Sequence, residues 1–418
     1  MNKKKICLVN LGCKVNQYEL DGIMNSLASE YDVVSGLAKA DIYVVNTCAV
    51  TTEAERKSRQ YIAKILKLNP NAEIFVYGCA AQNNPEQFLK FPQVKYVGGN
   101  SKKGQFKNNI NSSGNFVCPL PLEYEDDLVA TGVRTRGYVK IQDGCNNFCS
   151  YCLIPYVRGR SRSRALNSIV REATLLSKTC GEIVLTGINV SDYRIDGNLA
   201  LPQVFKALSH LPCRIRMSSF EVNIVTKEFL EVVSKLDNFC PHFHLSLQSG
   251  SDKVLKDMNR HYTTSEFLEK VDLIRQYFDN PAITTDLIVG FPTETEEDFD
   301  TTLAFLKKVG FSSVHYFAYS SRKGTLASKK YKALNGDIIK AREHKLKQVI
   351  QDLKSAYLKS SLATPQEVLV EETIDGYSEG FSKNYIRCYI EGDFAENSVQ
   401  KVTPVSLFKD GLLCKITP

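Results

Sequence analysis

Short runs of β-branched and aromatic residues alternate with amphipathic stretches along most of this chain, and that alternation leaves few folds open. Parallel strands are joined only through a crossover, usually a helix, so repeated strand–helix units build parallel sheets. Between residues 131 and 360 the pattern recurs six times, at GYVKIQ, EIVLTG, RIRMSS, HFHLSL, ITTDLIVG and SSVHYFAYS. Helical segments such as KEFLEVVSKL, TSEFLEKVDLIRQYF and EEDFDTTLAFLKKV accompany them, and DIIKAREHKLKQVIQDLKSAYLKSSL forms a long basic last helix. Six units predict an open or partial parallel barrel with function gathered at the carboxyl ends of its strands. Residues 1–115 carry the same signal on a separate scale. KICLVNLGC runs into VNQYELDGIMNSLASE, DIYVVNTC into TTEAERKSRQYIAKILKL, and AEIFVYGC into a further loop and helix. KGQFKNNINSSGNF, polar and rich in Asn and Ser, reads as a loop or linker. In residues 361–418, QEVLVEETID, NYIRCYIEGD and GLLCKITP predict a small all-β unit, a barrel, with Gly and Asp at its turns. The expected class is α/β with three units.

Composition narrows the function. Apolar residues make up 43% and charged residues 24%, which is ordinary for a globular chain. No apolar run approaches the roughly 18 residues a membrane span needs. The opening MNKKKICLVNLGC is too briefly apolar for a secretion signal and breaks at Gly12, so a cytoplasmic location is expected. In a reducing compartment, clustered cysteines point to metal or catalysis. Cys7, Cys118, Cys180, Cys213, Cys240, Cys388 and Cys414 sit mostly in apolar, strand-like settings and read as small buried hydrophobes. A net charge of +7 suits a polyanionic partner without demanding one.

Two cysteine groups remain. DGCNNFCSYC places Cys145, Cys149 and Cys152 at C-x3-C-x2-C. A closed zinc site needs four ligands, and the following LIPYVRGRSRSR offers neither Cys nor His. Three thiolates on a four-iron cube leave one iron open. Cys13, Cys48 and Cys79 each follow an apolar strand, about one strand–helix repeat apart. Equivalent positions in successive parallel strands lie side by side, so this trio is expected to converge at one sheet edge; three merely buried strand-end thiols would not explain the equivalence.

The C-x3-C-x2-C loop, with the aromatic Tyr151 before its last cysteine, resembles the radical S-adenosylmethionine (SAM) enzymes. The whole chain resembles the methylthiotransferases within them. DGCNNFCSYCLIPYVRGRSRSR, PHFHLSLQSGS and TTDLIVGFPTETEEDF look most like the bacterial branch acting on N6-threonylcarbamoyladenosine in tRNA. The resemblance implies two 4Fe–4S clusters, an auxiliary one on Cys13, Cys48 and Cys79 and a SAM-binding one on Cys145, Cys149 and Cys152. It also implies a C-terminal RNA-binding TRAM barrel. Two SAM molecules are implied, one donating the methyl group and one the 5′-deoxyadenosyl radical that abstracts hydrogen from adenine C2. For SAM it points to Tyr151, Gly187, Asn189, Ser219, Gln248, Arg260 and Gly290 on the strand ends and loops. Arg158, Arg160, Arg162 and Arg164 read as contacts to the tRNA anticodon stem-loop or as a solvated loop. Lys383, Tyr385 and Arg387 read as RNA contacts of the tail. His242, His244 and His315 read as cavity lining or as satisfied core histidines. Further implied are a flavodoxin or ferredoxin as electron donor and a monomer. Rival readings are the same chemistry on isopentenyladenosine or on a ribosomal-protein aspartate, and a non-catalytic iron–sulfur sensor of RNA.

Overall fold

The structure, a computed structural model, describes residues 3–34, 36–130 and 135–417. Its first sheet contains β1 (Lys5–Asn10), β2 (Asp32–Val34), β3 (Ile42–Thr47), β4 (Glu73–Gly78), β5 (Val94–Gly98) and β6 (Gly114–Phe116). All pair in parallel, in the order β2-β1-β3-β4-β5-β6. The strand IYVVNT is buried at every position, because helices cover both faces of the sheet. The order reverses between β1 and β3, the place where such sheets open a crevice at their carboxyl edge.

The segment 103–116 departs from its reading as a linker. It forms a helical turn and then β6, an edge strand of three residues whose Phe116 ring stacks on Tyr96 with centroids 4.5 Å apart. A strand that short carries too little alternation to register in a pattern search.

The central region runs through β7 (Arg136–Lys140), β8 (Gln142–Asp143), β9 (Arg162–Ser163), β10 (Glu182–Thr186), β11 (Arg194–Ile195), β12 (Asn198–Leu199), β13 (Arg214–Met217), β14 (His242–His244), β15 (Ala282–Val289) and β16 (Ser313–Ala318). Two parallel triplets, β7-β10-β13 and β14-β15-β16, are joined by bridges at Ile215–Phe239 and Phe220–Leu245. The result is a six-strand arc that, among the described residues, stays open between β7 and β16. Ribbons β8–β9 and β11–β12 decorate it. Its main core lies between strands and outer helices, around Ile183, Leu185, Ile215, Phe243, Leu287 and Leu306.

The helix Gly336–Ser360 leads into a closed antiparallel-rich barrel of β17 (Gln366–Ile374), β18 (Tyr377–Ser382), β19 (Arg387–Glu391), β20 (Val399–Phe408) and β21 (Gly411–Ile416), in the order β17-β18-β19-β21-β20. Val368, Cys388, Ile390, Val402, Leu412 and Cys414 fill it. The barrel docks on the amino ends of the arc. Arg214 donates to the carbonyls of Phe381 and Glu367 at 3.0 and 2.8 Å, and Arg216 donates to that of Lys383 at 2.9 Å. No described helix is long and apolar enough to cross a membrane.

Candidate functional site

The first trio stands at the carboxyl edge of the N-terminal sheet. Cys13 is the N-cap of the helix Lys14–Leu27, Cys48 follows β3, and Cys79 opens the helix Cys79–Asn83 directly after β4. Gly78 makes that last turn possible. Its φ is +102°, and a Cβ there would stand 2.5 Å from both Asn46 Oδ1 and the Thr47 carbonyl. Asn16 clamps the loops of β1 and β3, donating to Asn46 Oδ1 at 2.9 Å and to the Thr47 carbonyl at 3.1 Å. Hydrogen-bond donors aim at the sulfurs. Arg158 Nε and Asn100 Nδ2 reach Cys79 at 3.3 and 3.4 Å, and the Val50 N–H reaches Cys48 at 3.5 Å. Burial pushes Cys48 up to about 12, with Cys79 and Cys13 raising it further. Burial also raises Cys13, against the pull of Arg158. Such thiols become anionic ligands only when a metal replaces the lost hydration.

The second trio lies on the loop between β8 and β9. Gly144, at φ +73°, lets this loop turn against the backbone of Arg160, whose carbonyl a Cβ would overlap. Ser150 donates from its backbone to Met258 and from its hydroxyl to Asp257, and Asn259 holds the carbonyls of Asn147 and Phe148 at 3.2 Å. Here each sulfur receives a donor, whereas Cys13 of the first trio itself donates to Asn16 Oδ1: Asn147 N–H reaches Cys145 at 3.5 Å, Arg260 Nη1 reaches Cys149 at 3.4 Å, and Ile154 N–H reaches Cys152 at 3.4 Å. Burial pushes Cys145 up to about 11 and Cys152 up to about 12. Among the described residues no three Cys, His, Asp or Glu side chains stand close enough to share one metal ion. A multi-iron cluster binds each thiolate to a different iron and so asks for a wider spacing. Soft sulfur donors with N–H groups aimed at them suit such a cluster.

The residues expected around SAM divide into groups. Tyr151 packs edge-on against Phe291, beside Cys149 and Cys152. Asn189 sits beside Cys145, its N–H held by Gln142 Oε1 at 2.7 Å, while its side-chain oxygen is buried without a partner. An orphaned acceptor at that place fits an incoming ammonium group. Gly187 lies against the Gln142 carbonyl, with 3.0 Å available to a Cβ. Arg260 is shared between Cys149, the Ser246 carbonyl and Glu221, the last at 2.9 Å. Gln248 adopts a left-handed φ of +69° where its backbone bridges β15, a strain of the kind that functional sites keep. Ser219 is set apart on a different cavity wall. Gly290 is explained by packing instead of by room for a base: Ile339 stands 2.6 Å from where its Cβ would be.

The arginine stripe is a correction. Arg158 is 1% exposed, Arg164 2% and Arg162 7%, so three of the four face inward and cannot meet phosphates. Arg160 alone points out, over the Phe148 ring. Arg158 spans the two regions. It donates to Glu19 at 2.8 Å, Asp143 at 3.2 Å and Asn16 at 3.0 Å besides Cys79. Lys140 and Lys103 complete this buried charge cluster around Glu19. Sequence reasoning missed Glu19, Asp143, Lys140, Lys103 and Asn100. Of the seven remaining cysteines six are buried, and Cys118 is partly open.

A cavity of about 450 Å³ lies inside the arc, bounded by the N-terminal helix, the strands and the C-terminal barrel. Lys14, His242, His244, His315, Asp286 and Tyr385 line it. His242 and His244 share Thr284 Oγ1 at 2.9 Å each, and His244 meets Asp286 at 3.2 Å. Tyr385 stacks on His242 and Phe381, and Arg387 reaches the cavity rim. Lys383 is tied to the Asp237 carbonyl and Glu367. A larger recess of about 770 Å³ near Asn280 contains none of the cysteines.

Residues 139–306 match the Radical SAM superfamily, and residues 5–99 match Uncharacterized protein family UPF0004. The chain is 36% identical to Threonylcarbamoyladenosine tRNA methylthiotransferase MtaB of Thermotoga maritima over 98% of its length and 96% of that protein's. The chain belongs to the tRNA methylthiotransferase family. It is 34% identical to tRNA-2-methylthio-N(6)-dimethylallyladenosine synthase of Thermodesulfovibrio yellowstonii, over 91% of each chain. Among solved structures, the radical SAM methyltransferase TsrM of Kitasatospora setae, with cobalamin and a 4Fe–4S cluster bound, superposes with a TM-score of 0.58. That match has 14% identity and covers 78% of this chain and 77% of the other, so it speaks for the fold alone. As a tRNA methylthiotransferase the chain is a transferase that uses SAM and two 4Fe–4S clusters.

Proposed function

We propose that this methylthiotransferase modifies C2 of N6-threonylcarbamoyladenosine, immediately 3′ of the tRNA anticodon. Relatives named for that nucleoside, matched over nearly the whole chain, support the substrate. The observation that carries the chemistry is the junction between the trios. The helix begun by Cys79 packs on the helix Ile154–Val157 just after Cys152, and Arg158 bonds to Cys79. Two reactive centres are thereby held as one rigid unit, as sulfur delivery to a carbon radical requires.

In this reading Cys145, Cys149 and Cys152 hold the SAM-binding cluster, and Cys13, Cys48 and Cys79 the auxiliary one. When bound, these groups supply the hydrogen-abstracting radical and the sulfur. Arg260 and the loop N–H groups favour the thiolate form of Cys145, Cys149 and Cys152; Arg158, Asn100 and Val50 do so for Cys79 and Cys48. The free oxygen of Asn189 accepts from the methionyl ammonium, and Gly187 keeps the backbone clear beside it. Tyr151 covers the adenine, while Gln248 offers a polar contact to ribose or carboxylate; Ser219, on the wall of the other cavity, does not take part. An unstacked loop base is the form of substrate able to reach so enclosed a place. The regions 1–115, 131–360 and 361–418 act as cluster, SAM and RNA-binding (TRAM-like) units, in a cytoplasmic monomer fed by a flavodoxin or ferredoxin.

The test is mass spectrometry of tRNA nucleosides from cells lacking the gene. The 2-methylthio derivative of N6-threonylcarbamoyladenosine is expected to vanish and to return with the wild-type gene but not with Cys48→Ala. Its persistence in the deletion strain would remove the substrate claim. Anaerobically reconstituted wild type is expected to carry about eight irons and Cys48→Ala about four.

A further inference from the structure

The interior cavity has a chemical character that the site chemistry does not use. Its walls carry Lys14, Lys354, Arg387 and three histidines against two carboxylates, Asp286 and Asp410. Both carboxylates are engaged: Asp286 with His244 at 3.2 Å, and Asp410 with Tyr389 at 2.5 Å and Arg387 at 3.8 Å. Lys14 makes no hydrogen bond or ion pair with any described residue, and its side chain stands exposed on the wall of this cavity. Of its three lysine and arginine cations only Arg387 is paired, with Asp410 and Glu379; Lys14 and Lys354 have no ion-pair partner among the described residues, and the hydroxyls of Ser219 and Ser313 line the same cavity. Its position is equally specific. Lys14 follows Cys13 directly, so the cation stands next to one wall of the auxiliary trio.

We infer that this cavity binds the free carboxylate carried by the N6 substituent of the substrate base, with Lys14 as its principal contact. The inference rests on the substrate reading above. Adenine C2, N1 and N6 share one edge of the ring, so a base that turns C2 toward the auxiliary trio places its N6 arm in the space beside it. That space is where Lys14 stands. A threonylcarbamoyl arm ends in a carboxylate and a hydroxyl, which the lysine and the serine hydroxyls complement. A purely aliphatic arm would offer that cation no partner and would forgo the contact, which separates the two substrates in affinity. Lys14 is thus a specificity-determining residue.

The experiment measures binding of synthetic anticodon stem-loops to the anaerobically reconstituted full chain. Three loops are compared: one bearing N6-threonylcarbamoyladenosine, one with that carboxylate replaced by a carboxamide, and one with unmodified adenosine. Wild type is expected to prefer the acid over the amide by about tenfold, the scale of one charge-assisted contact. Lys14→Met is expected to cut that preference to twofold or less, and Lys14→Arg to restore most of it. Ser313→Asp adds a negative charge to the cavity wall without altering Lys14. It is expected to weaken binding of the acid about fivefold or more and to leave the amide unchanged, which keeps the test decisive should Lys14→Met fail to fold. Equal wild-type affinity for acid and amide, with the acid-bearing tRNA still methylthiolated, would overturn the carboxylate site alone. Absence of methylthiolation on that tRNA would instead overturn the substrate reading.

Discussion

A single guanidinium, Arg158, ties together two sheets that are far apart in sequence. It meets Glu19, 139 positions away, and Asp143, 15 away, with no exposed surface on the side chain. Buried ion networks of this kind add little over apolar packing, but removing one member leaves uncompensated charge. Arg158→Ala is expected to lower the unfolding free energy of the apo-protein by about 3–5 kcal/mol in urea titrations. RGRSRSR gave no warning of this. Its alternation puts every arginine on one face of an extended segment, and a charged face normally looks to water. Gly159, at φ +82°, breaks the alternation, so Arg160 turns out while its neighbours turn in. The cysteines were legible for the opposite reason, since strand-end equivalence survives any local turn. His242 supplies a pH test. Burial first, then Arg216, His244, Lys14 and His315, hold its imidazole well below the usual range. The unfolded chain therefore takes up the proton first, and stability falls as pH drops below about 6.5, by about 1.4 kcal/mol per pH unit for this one group. His242→Gln is expected to reduce the stability lost between pH 6.5 and 5.5 by about 1 kcal/mol.

At the scale of elements, the strands read most easily were those with long apolar runs and a following helix. EEDFDTTLAFLKKV is helical over Glu296–Val309, the whole of the quoted segment. Its start is fixed by a capping box in which Thr295 and Asp298 exchange side-chain and backbone bonds. Asp298 does more than cap. It also accepts from Ser251 at 2.8 Å and from Lys253 at 2.6 Å, joining the loop after β14 to the loop after β15. Thr295→Ala is expected to cost about 1 kcal/mol, as a lost cap does. Asp298→Ala should cost about 2–3 kcal/mol, because it also strands the Ser251 hydroxyl. Denaturant unfolding of both variants measures the difference, and equal costs would mean that the loop tie is idle. Strands β2, β6, β11 and β12, two or three residues each, were illegible. Their pairing is imposed by neighbours brought in by the larger elements.

At the scale of the molecule, the C-terminal barrel rests on a buried ionic seat. Glu182 takes two hydrogen bonds of 2.7 Å from Arg216 and forms an ion pair with Arg136 at 3.0 Å, and those arginines continue to the barrel through Glu371 and backbone carbonyls. Tyr385 lies over both guanidiniums. Glu182→Gln removes the charge that both arginines share. It is expected to cost about 3 kcal/mol or more and to speed proteolytic cleavage near residues 361–365. Unchanged cleavage there would show that packing alone seats the barrel. The tail was expected to meet RNA through Lys383, Tyr385 and Arg387, yet its aromatic ring is occupied in holding the base of the arc. The three-unit plan was visible because each unit has its own periodicity; the seat was not, because Glu182 and Arg136 are first residues of strands, which a pattern search treats as boundaries. The unclosed seam between β7 and β16 has its own consequence. A closed ring admits a loop of a polymer only through its mouth, doubled back on itself. Here the missing segment is supplied by another unit: the helix Lys14–Leu27 packs on β7, and Thr52 and Glu55 meet Ser320 and Arg322 just past β16, so the N-terminal unit stands as the last stave of the ring.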